Sequence, residues 1–188
     1  MLVVFSGPSG AGKNAIISGL LEKYPQRYSF MPTMTTRAKR EGEREGFPYH
    51  FVGRREFLDL IRQDKFFEYE QIHTSYYGTH KQILADKLAE GKVLLKDIDV
   101  KGTFNLKEGL KGSGHRLFTI FVTAGDKEIL RQRLIGRGEK DEDIEIRLKR
   151  YESEMAYEKK YNYIIKNIDL DRAIDRVNKV ITDKLYGL

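Results

Sequence analysis

Residues 2–25 read LVVFSGPSGAGKNAIISGLLEKYP. Leu2, Val3, Val4 and Phe5 form an unbroken apolar run ahead of a glycine turn, the pattern of a strand covered on both faces. Ile17, Leu20, Leu21 and Tyr24 then recur at helical spacing, and Pro25 marks the exit. Strand, glycine loop, helix is the context in which a phosphate loop is credible. Gly7, Pro8, Ser9, Gly10, Ala11, Gly12 and Lys13 fill a G-x-x-x-x-G-K pattern. Glycines let main-chain N–H groups turn inward around a phosphate. The helix start adds free N–H groups and a positive dipole end, and Lys13 adds a point charge for outer phosphates. Such a loop ordinarily ends in Ser or Thr, whose hydroxyl serves Mg²⁺. Asn14 stands there instead. Its amide oxygen is a neutral, bulkier ligand, so the expectation is rearranged metal handling with phosphate binding kept. A chance glycine turn is the alternative, and the flanking strand and helix argue against it.

Further apolar runs follow, at KVLLKDIDV (92–100, interrupted by Lys96), LFTIFV (117–122) and YIIK (163–166). Helical stripes lie between them: Ile83, Leu84 and Leu88; Leu130 and Leu134; Ile144, Leu148, Tyr151 and Met155; then Ala173, Ile174, Val177 and Ile181. Alternating strands and helices predict an α/β fold, a three-layer sandwich around a mostly parallel sheet. Residues 33–80 break the rhythm. They are rich in aromatics and turns, and predict an inserted subdomain of short strands with one helix near Phe57–Ile61. A charged stretch, GRGEKDED (136–143), predicts an exposed excursion. One domain is expected over 1–188, with a core of 1–32, 81–125 and 159–188, the insert, and a lid region at 126–158.

The chain has 188 residues, 40% hydrophobic and 33% charged, an ordinary globular balance. No apolar run approaches the roughly 20 residues of a membrane span, and the start lacks a signal peptide's basic opening. The absence of cysteine excludes disulfides and thiolate metal sites and fits the cytoplasm. A net charge of +6 favours anionic partners, but the positives are interleaved with acids, unlike a nucleic-acid-binding arm.

The stretch TMTTRAKREGEREGFPYHFV (33–52) carries Thr33, Thr35, Thr36, Arg37, Arg40, Gly42, Glu43, Gly46, Tyr49 and Phe51 in an order that resembles the guanylate kinase family. Phe66, Glu68, Tyr77, Gly78 and Thr79 resemble two further segments of that family, and Asp97, Asp99 and Gly102 its Asp-x-Asp after the central strand. The resemblance runs over almost the whole chain. It implies that Arg37, Arg40, Tyr49 and Tyr77 hold the GMP phosphate, for which forked arginines are well suited. It places Glu68 on the guanine N1–H and 2-amino donors, which match the two oxygens of a carboxylate. Thr33 and Thr79 would meet the carbonyl edge of the base, and Asp99 the 2-amino group or the phosphate–metal region. Each residue has a plainer reading: solvated arginines, packed tyrosines, an exposed Glu68, or Asp97 and Asp99 capping a helix.

RQRLIGRGEKDEDIEIRLKR (131–150) resembles the family's lid, with Arg137 and Arg147 brought to the triphosphate and Arg133 a weaker candidate. Arg137 and Arg147 lie 10 positions apart, one fewer than in the family's pattern. Asn167 matches an Asn near the ATP base, with a turn residue as the alternative. The expected activity is ATP plus GMP to ADP plus GDP, with Mg²⁺ held by Asn14 and, through water, by Asp97. Lys13, Arg37, Arg137 and Arg147 would surround the transferred group. ATP and GMP are the expected partners, with no nucleic acid or membrane, and nothing in the sequence sets an oligomeric state. Two alternatives remain at this point: a non-catalytic guanylate-kinase-like module that binds a phosphopeptide, and a kinase of another small phosphorylated acceptor.

Overall fold

The structure, a computed structural model, describes residues 1–136 and 138–187. The opening apolar run forms β1 (Leu2–Ser6), buried throughout. The phosphate-loop residues follow, and α1 (Lys13–Lys23) begins at the lysine itself. Then come β2 (Tyr28–Phe30), β3 (Thr33–Thr35), β4 (Arg44–Glu45), β5 (Pro48–Phe51), α2 (Arg54–Arg62), β6 (Phe66–Ile72), β7 (Ser75–His80) and α3 (Lys81–Ala89). The remainder is β8 (Val93–Asp97), α4 (Val100–Gly109), β9 (Leu117–Thr123), α5 (Lys127–Ile135), α6 (Asp141–Met155), a short 3₁₀ turn, β10 (Tyr163–Lys166) and α7 (Leu170–Tyr186). The fold is α/β with a mostly parallel principal sheet.

The chain forms two compact units. One is Met1–Val3 with Gln26–Leu117, the other Val4–Pro25 with Phe118–Leu188. In the first, β2 runs parallel to β8, pairing Tyr28 with Val93 and Phe30 with Leu95. A second sheet, in the order β4-β5-β3-β7-β6, belongs wholly to this unit. Its β3 runs parallel to β5, with Thr33 opposite Tyr49, and antiparallel to β7, with Thr35 opposite Tyr77. Helix α2 packs on this sheet through Phe57. That ring stacks on Phe66 and Tyr76, with centroids 4.5 and 5.5 Å away, and Met34 completes a small apolar core. Aromatic stacking of this kind adds to simple area burial.

Strand β6 is irregular just before Glu68. The pairing with β7 shifts between Phe66 and Glu68, so that Phe66 faces His80 and Glu68 faces Thr79. An extra residue in one strand bends it and re-aims its side chains. The main chain of Phe67 at this irregularity lies against α4. A Cβ on Gly109 would come 1.9 Å from the Phe67 carbonyl oxygen, so only glycine permits the approach.

In the second unit, β10 pairs parallel with β9, Tyr163 opposite Ile120 and Lys166 opposite Thr123. Helix α7 buries Ala173, Ile174, Val177 and Ile181, the stripe predicted from spacing, and α1 buries Ile16, Ile17 and Leu20. No helix among the described residues is long and apolar enough to cross a membrane.

Candidate nucleotide sites

The phosphate loop spans the turn between β1 and α1. Gly7, Gly10 and Gly12 have φ values of 123°, 85° and 92°, a left-handed run that turns successive N–H groups one way. Lys13 is half-buried, and its Nζ donates to the Gly7 and Pro8 carbonyl oxygens at 2.8 and 3.1 Å. The ammonium is thus held against the loop it serves, with one N–H unspent on these bonds. Pro8, Gly10 and Ala11 are buried, Ser9 is half-buried, and Asn14 is exposed on the first turn of α1.

Three residues brace this loop from within the same unit. Asn167 is 4% exposed, and its Nδ2 donates to the Ala11 carbonyl oxygen at 2.9 Å. Its own main-chain N–H donates to Thr123 O, and its carbonyl accepts from Arg133 Nη2 at 2.7 Å. The structure therefore shows Asn167 as a support of the loop main chain. Arg133, the weaker candidate of its segment, supports that support. Arg147, on α6, donates through Nη1 to Ser9 Oγ at 2.6 Å and pairs with Glu139 at 2.7 Å. Of the two arginines expected at the triphosphate, one thus reaches the phosphate loop. Arg137, the other, lies outside the described residues.

The second cluster belongs to the first unit. Arg37 lies over the Tyr49 ring at 4.9 Å and the Phe51 ring at 5.6 Å, and the Tyr49 and Tyr77 rings meet edge-on at 6.0 Å. Strand register produces this grouping, because β5 and β7 flank β3 just before the chain turns to Arg37. Arg37 donates through Nη2 to Glu43 at 2.6 Å and through Nη1 to Ala38 O at 2.7 Å. Three of its five N–H donors remain for another anion. Glu43 also accepts from the Arg40 main-chain N–H at 2.8 Å, and these two bonds hold its carboxyl below the ordinary range. Burial pushes the Tyr49 phenol up, with Tyr77 adding to it, so it stays a neutral hydrogen-bonding group. The Arg40 side chain is exposed beside this group. Glu43 thus organises the arginine loop, a role that sequence reading had not given it.

In the same unit Glu68 is 8% exposed, and its Oε1 accepts from Thr79 Oγ1. Burial raises its pKa, while Lys96 and the Thr79 hydroxyl act the other way. Thr79 spends its proton on Glu68, so towards a base it offers lone pairs. Thr33 Oγ1 accepts from Lys96 Nζ at 2.6 Å, leaving its own proton to donate. Lys96 is wholly buried, its pKa lowered to about 8 by desolvation against the pull of Glu68 and Asp97. Asp99 is exposed and caps α4, accepting from the Gly102 N–H at 2.6 Å, so the helix-capping reading describes its contact. Asp97 is half-buried at the end of β8.

No group of three or more His, Cys, Asp or Glu suited to a metal occurs among the described residues. Mg²⁺ bound chiefly through phosphates and water needs no such cage. The exposed Asn14 amide oxygen at the loop's end is a hard donor and fits that kind of site.

A glycine loop opening a helix behind a buried strand, with its lysine folded onto the loop, defines a phosphate-loop α/β protein. The family model described as "Guanylate kinase" matches residues 1–184. The chain is 39% identical to a guanylate kinase of Chlorobium chlorochromatii, covering 97% of this chain and 94% of that one. It is 38% identical to one of Wolinella succinogenes, covering 90% and 77%. Its fold is similar to the crystal structure of guanylate kinase from Anaplasma phagocytophilum, with a TM-score of 0.73 at 29% identity, covering 98% and 85%. The chain belongs to the guanylate kinase family.

Proposed function

We propose that the chain transfers the γ-phosphoryl group of ATP to GMP, giving ADP and GDP. The observation that carries this reading is the buried Glu68 carboxylate, which presents paired acceptors to a base in the same unit as Arg37, Tyr49 and Tyr77. Residues 33–80 are the GMP-binding insert, 126–158 the lid, and the rest the core. Arg37, Arg40, Tyr49 and Tyr77 hold the GMP phosphate, and the loop from Gly7 to Lys13 holds ATP, with Asn167 keeping the loop in shape.

In the reaction a GMP phosphate oxygen bonds to the γ-phosphorus and the bond to the β–γ bridging oxygen breaks. The acceptor oxygen needs no general base, since a monophosphate is already ionised near neutral pH. Lys13, Arg37, Arg147 and Arg137 offset charge on the moving group, and positioning supplies most of the acceleration. Asn14 and, through water, Asp97 would hold Mg²⁺ bound with ATP, which would neutralise phosphate charge. We assign the activity to the cytoplasm.

A coupled ADP-release assay with GMP, dGMP, AMP and UMP tests the reading, with turnover expected for the guanine nucleotides. Tight GMP binding without turnover would return the phosphopeptide module. Glu68→Gln puts an amide donor where an acceptor is needed. It should raise the KM for GMP by about 100-fold and leave that for ATP little changed. Equal increases would remove Glu68 from the base site. Asn14→Ser restores a hydroxyl beside Lys13. It should lower the Mg²⁺ concentration for half-maximal rate and raise kcat by up to about tenfold, the scale of a group supporting a metal. An unaltered Mg²⁺ titration would count against a metal role for Asn14.

A further inference from the structure

Strand β8 carries a buried lysine directly after three buried apolar residues, Val93, Leu94 and Leu95. Lys96 is 0% exposed, while Leu94 and Leu95 beside it are ordinary core residues. Burying an ammonium is costly unless polar groups receive it. Among the described residues it makes one hydrogen bond, to Thr33 Oγ1 at 2.6 Å, leaving two of its three N–H donors for other acceptors. Thr33 is half-buried, so this donor cluster reaches accessible surface. Glu68 acts electrostatically on Lys96, and β3 sets Met34, next to Thr33, opposite Gly78, next to Glu68's partner Thr79. Donors and acceptors therefore sit side by side. Lys96 and the Thr33 hydroxyl donate, while Glu68 and Thr79 accept.

The Watson–Crick edge of guanine is the complement of that arrangement. It presents an acceptor at O6 and donors at N1 and the 2-amino group. We infer that Lys96 is a positioning residue for base specificity: it orients the half-buried Thr33 hydroxyl, which donates to the 6-oxo group of the acceptor base. Adenine places an amino group at position 6, so its donors would face a hydroxyl proton that Lys96 turns towards the base, an arrangement that selects against the wrong base. The inference rests on the GMP reading above.

The test compares GMP with 6-thio-GMP, which carries sulfur, a weak acceptor, in place of O6. The parent chain should favour GMP by roughly 10- to 100-fold in kcat/KM, the range for a hydroxyl donor left without its acceptor. Lys96→Met keeps length and apolar stem but removes the donors. It should lower kcat/KM for GMP by about the same factor, mostly through KM, and lower that for 6-thio-GMP far less. The preference then collapses towards unity while the KM for ATP holds. Exchanging a buried charge for an apolar side chain of similar volume is often neutral or stabilising, and a melting curve checks this. Should the variant fail to fold, Thr33→Val removes the hydroxyl that holds Lys96 and should shrink the same ratio. If Lys96→Met loses both nucleotides equally, so that the preference persists, Lys96 acts only on structure and the inference falls. Calorimetric binding of the two nucleotides yields the ratio without turnover. A chain that binds GMP but does not phosphorylate it would thus sink the kinase reading separately.

Discussion

Replacing Lys13 by Met lowers kcat by about 1000-fold while GMP binding and the melting temperature stay close to those of the parent chain. The methionine keeps the length of the stem and removes the charge. The lysine makes two hydrogen bonds, both to carbonyls of the loop from Gly7 to Pro8, so little of the core depends on it. Its effect on the reaction is larger because a fixed cation stabilises charge that spreads over a moving phosphoryl group. GMP contacts are assigned to Arg37, Tyr49, Tyr77 and Glu68, all in the other compact unit. Steady-state kinetics paired with GMP calorimetry separates the two effects. A kcat within tenfold of the parent would show that the loop amides alone carry the triphosphate. Lys13→Arg should not restore the rate, since a planar fork cannot replace a compact ammonium at a site shaped for a point charge.

What could be read in advance was local. LVVF became β1, YIIK became β10 with the same four residues, and the stripe from Ala173 to Ile181 became the buried face of α7. Buried parallel strands and amphipathic helices advertise themselves by short-range pattern. The phosphate loop was legible for the same reason, because its motif and its flanking elements are contiguous. The proposed base site was legible only as a list of matching residues. Its working geometry depends on partners far apart in the chain. Lys96 read as an interruption of an apolar strand, yet its hydroxyl partner lies 63 residues away at Thr33. Glu68 could have pointed either way by alternation alone. The shift between Phe66 and Glu68 aligns it with Thr79, and that shift is accommodated at Gly109 on another element. Asn167 was a turn residue or a base contact on sequence grounds. A hydrogen bond from its side-chain amide to Ala11 O makes it a brace for the phosphate loop. Glu43 had a place in the family's pattern but no role until its bonds to Arg37 and Arg40 were visible.

Gly7→Ala should destabilise the protein by about 3 kcal/mol or more and abolish ATP-dependent turnover. Two independent costs meet at this position. With φ at +123°, any L side chain is strained. A Cβ would also come 2.1 Å from the Val122 carbonyl oxygen, on a buried strand of the same unit. The obstacle is main chain, so no rotamer change relieves it, and either the loop or β9 has to move. A shift of even a fraction of an ångström redirects the N–H groups that define the phosphate site. For a chain of this size the melting temperature should fall by about 6–12 °C. Gly42 provides the control, because it too has a positive φ, +82°, but a Cβ there meets nothing within 4 Å. Gly42→Ala therefore carries backbone strain without collision and should cost about 1 kcal/mol. It lies in the Arg37–Glu43 loop, so any kinetic effect should show in the KM for GMP, whereas Gly7→Ala should lose the ATP half. Thermal unfolding of the two variants side by side decides the matter. If they melt together, close approach to Val122 is not what requires glycine at the start of the loop.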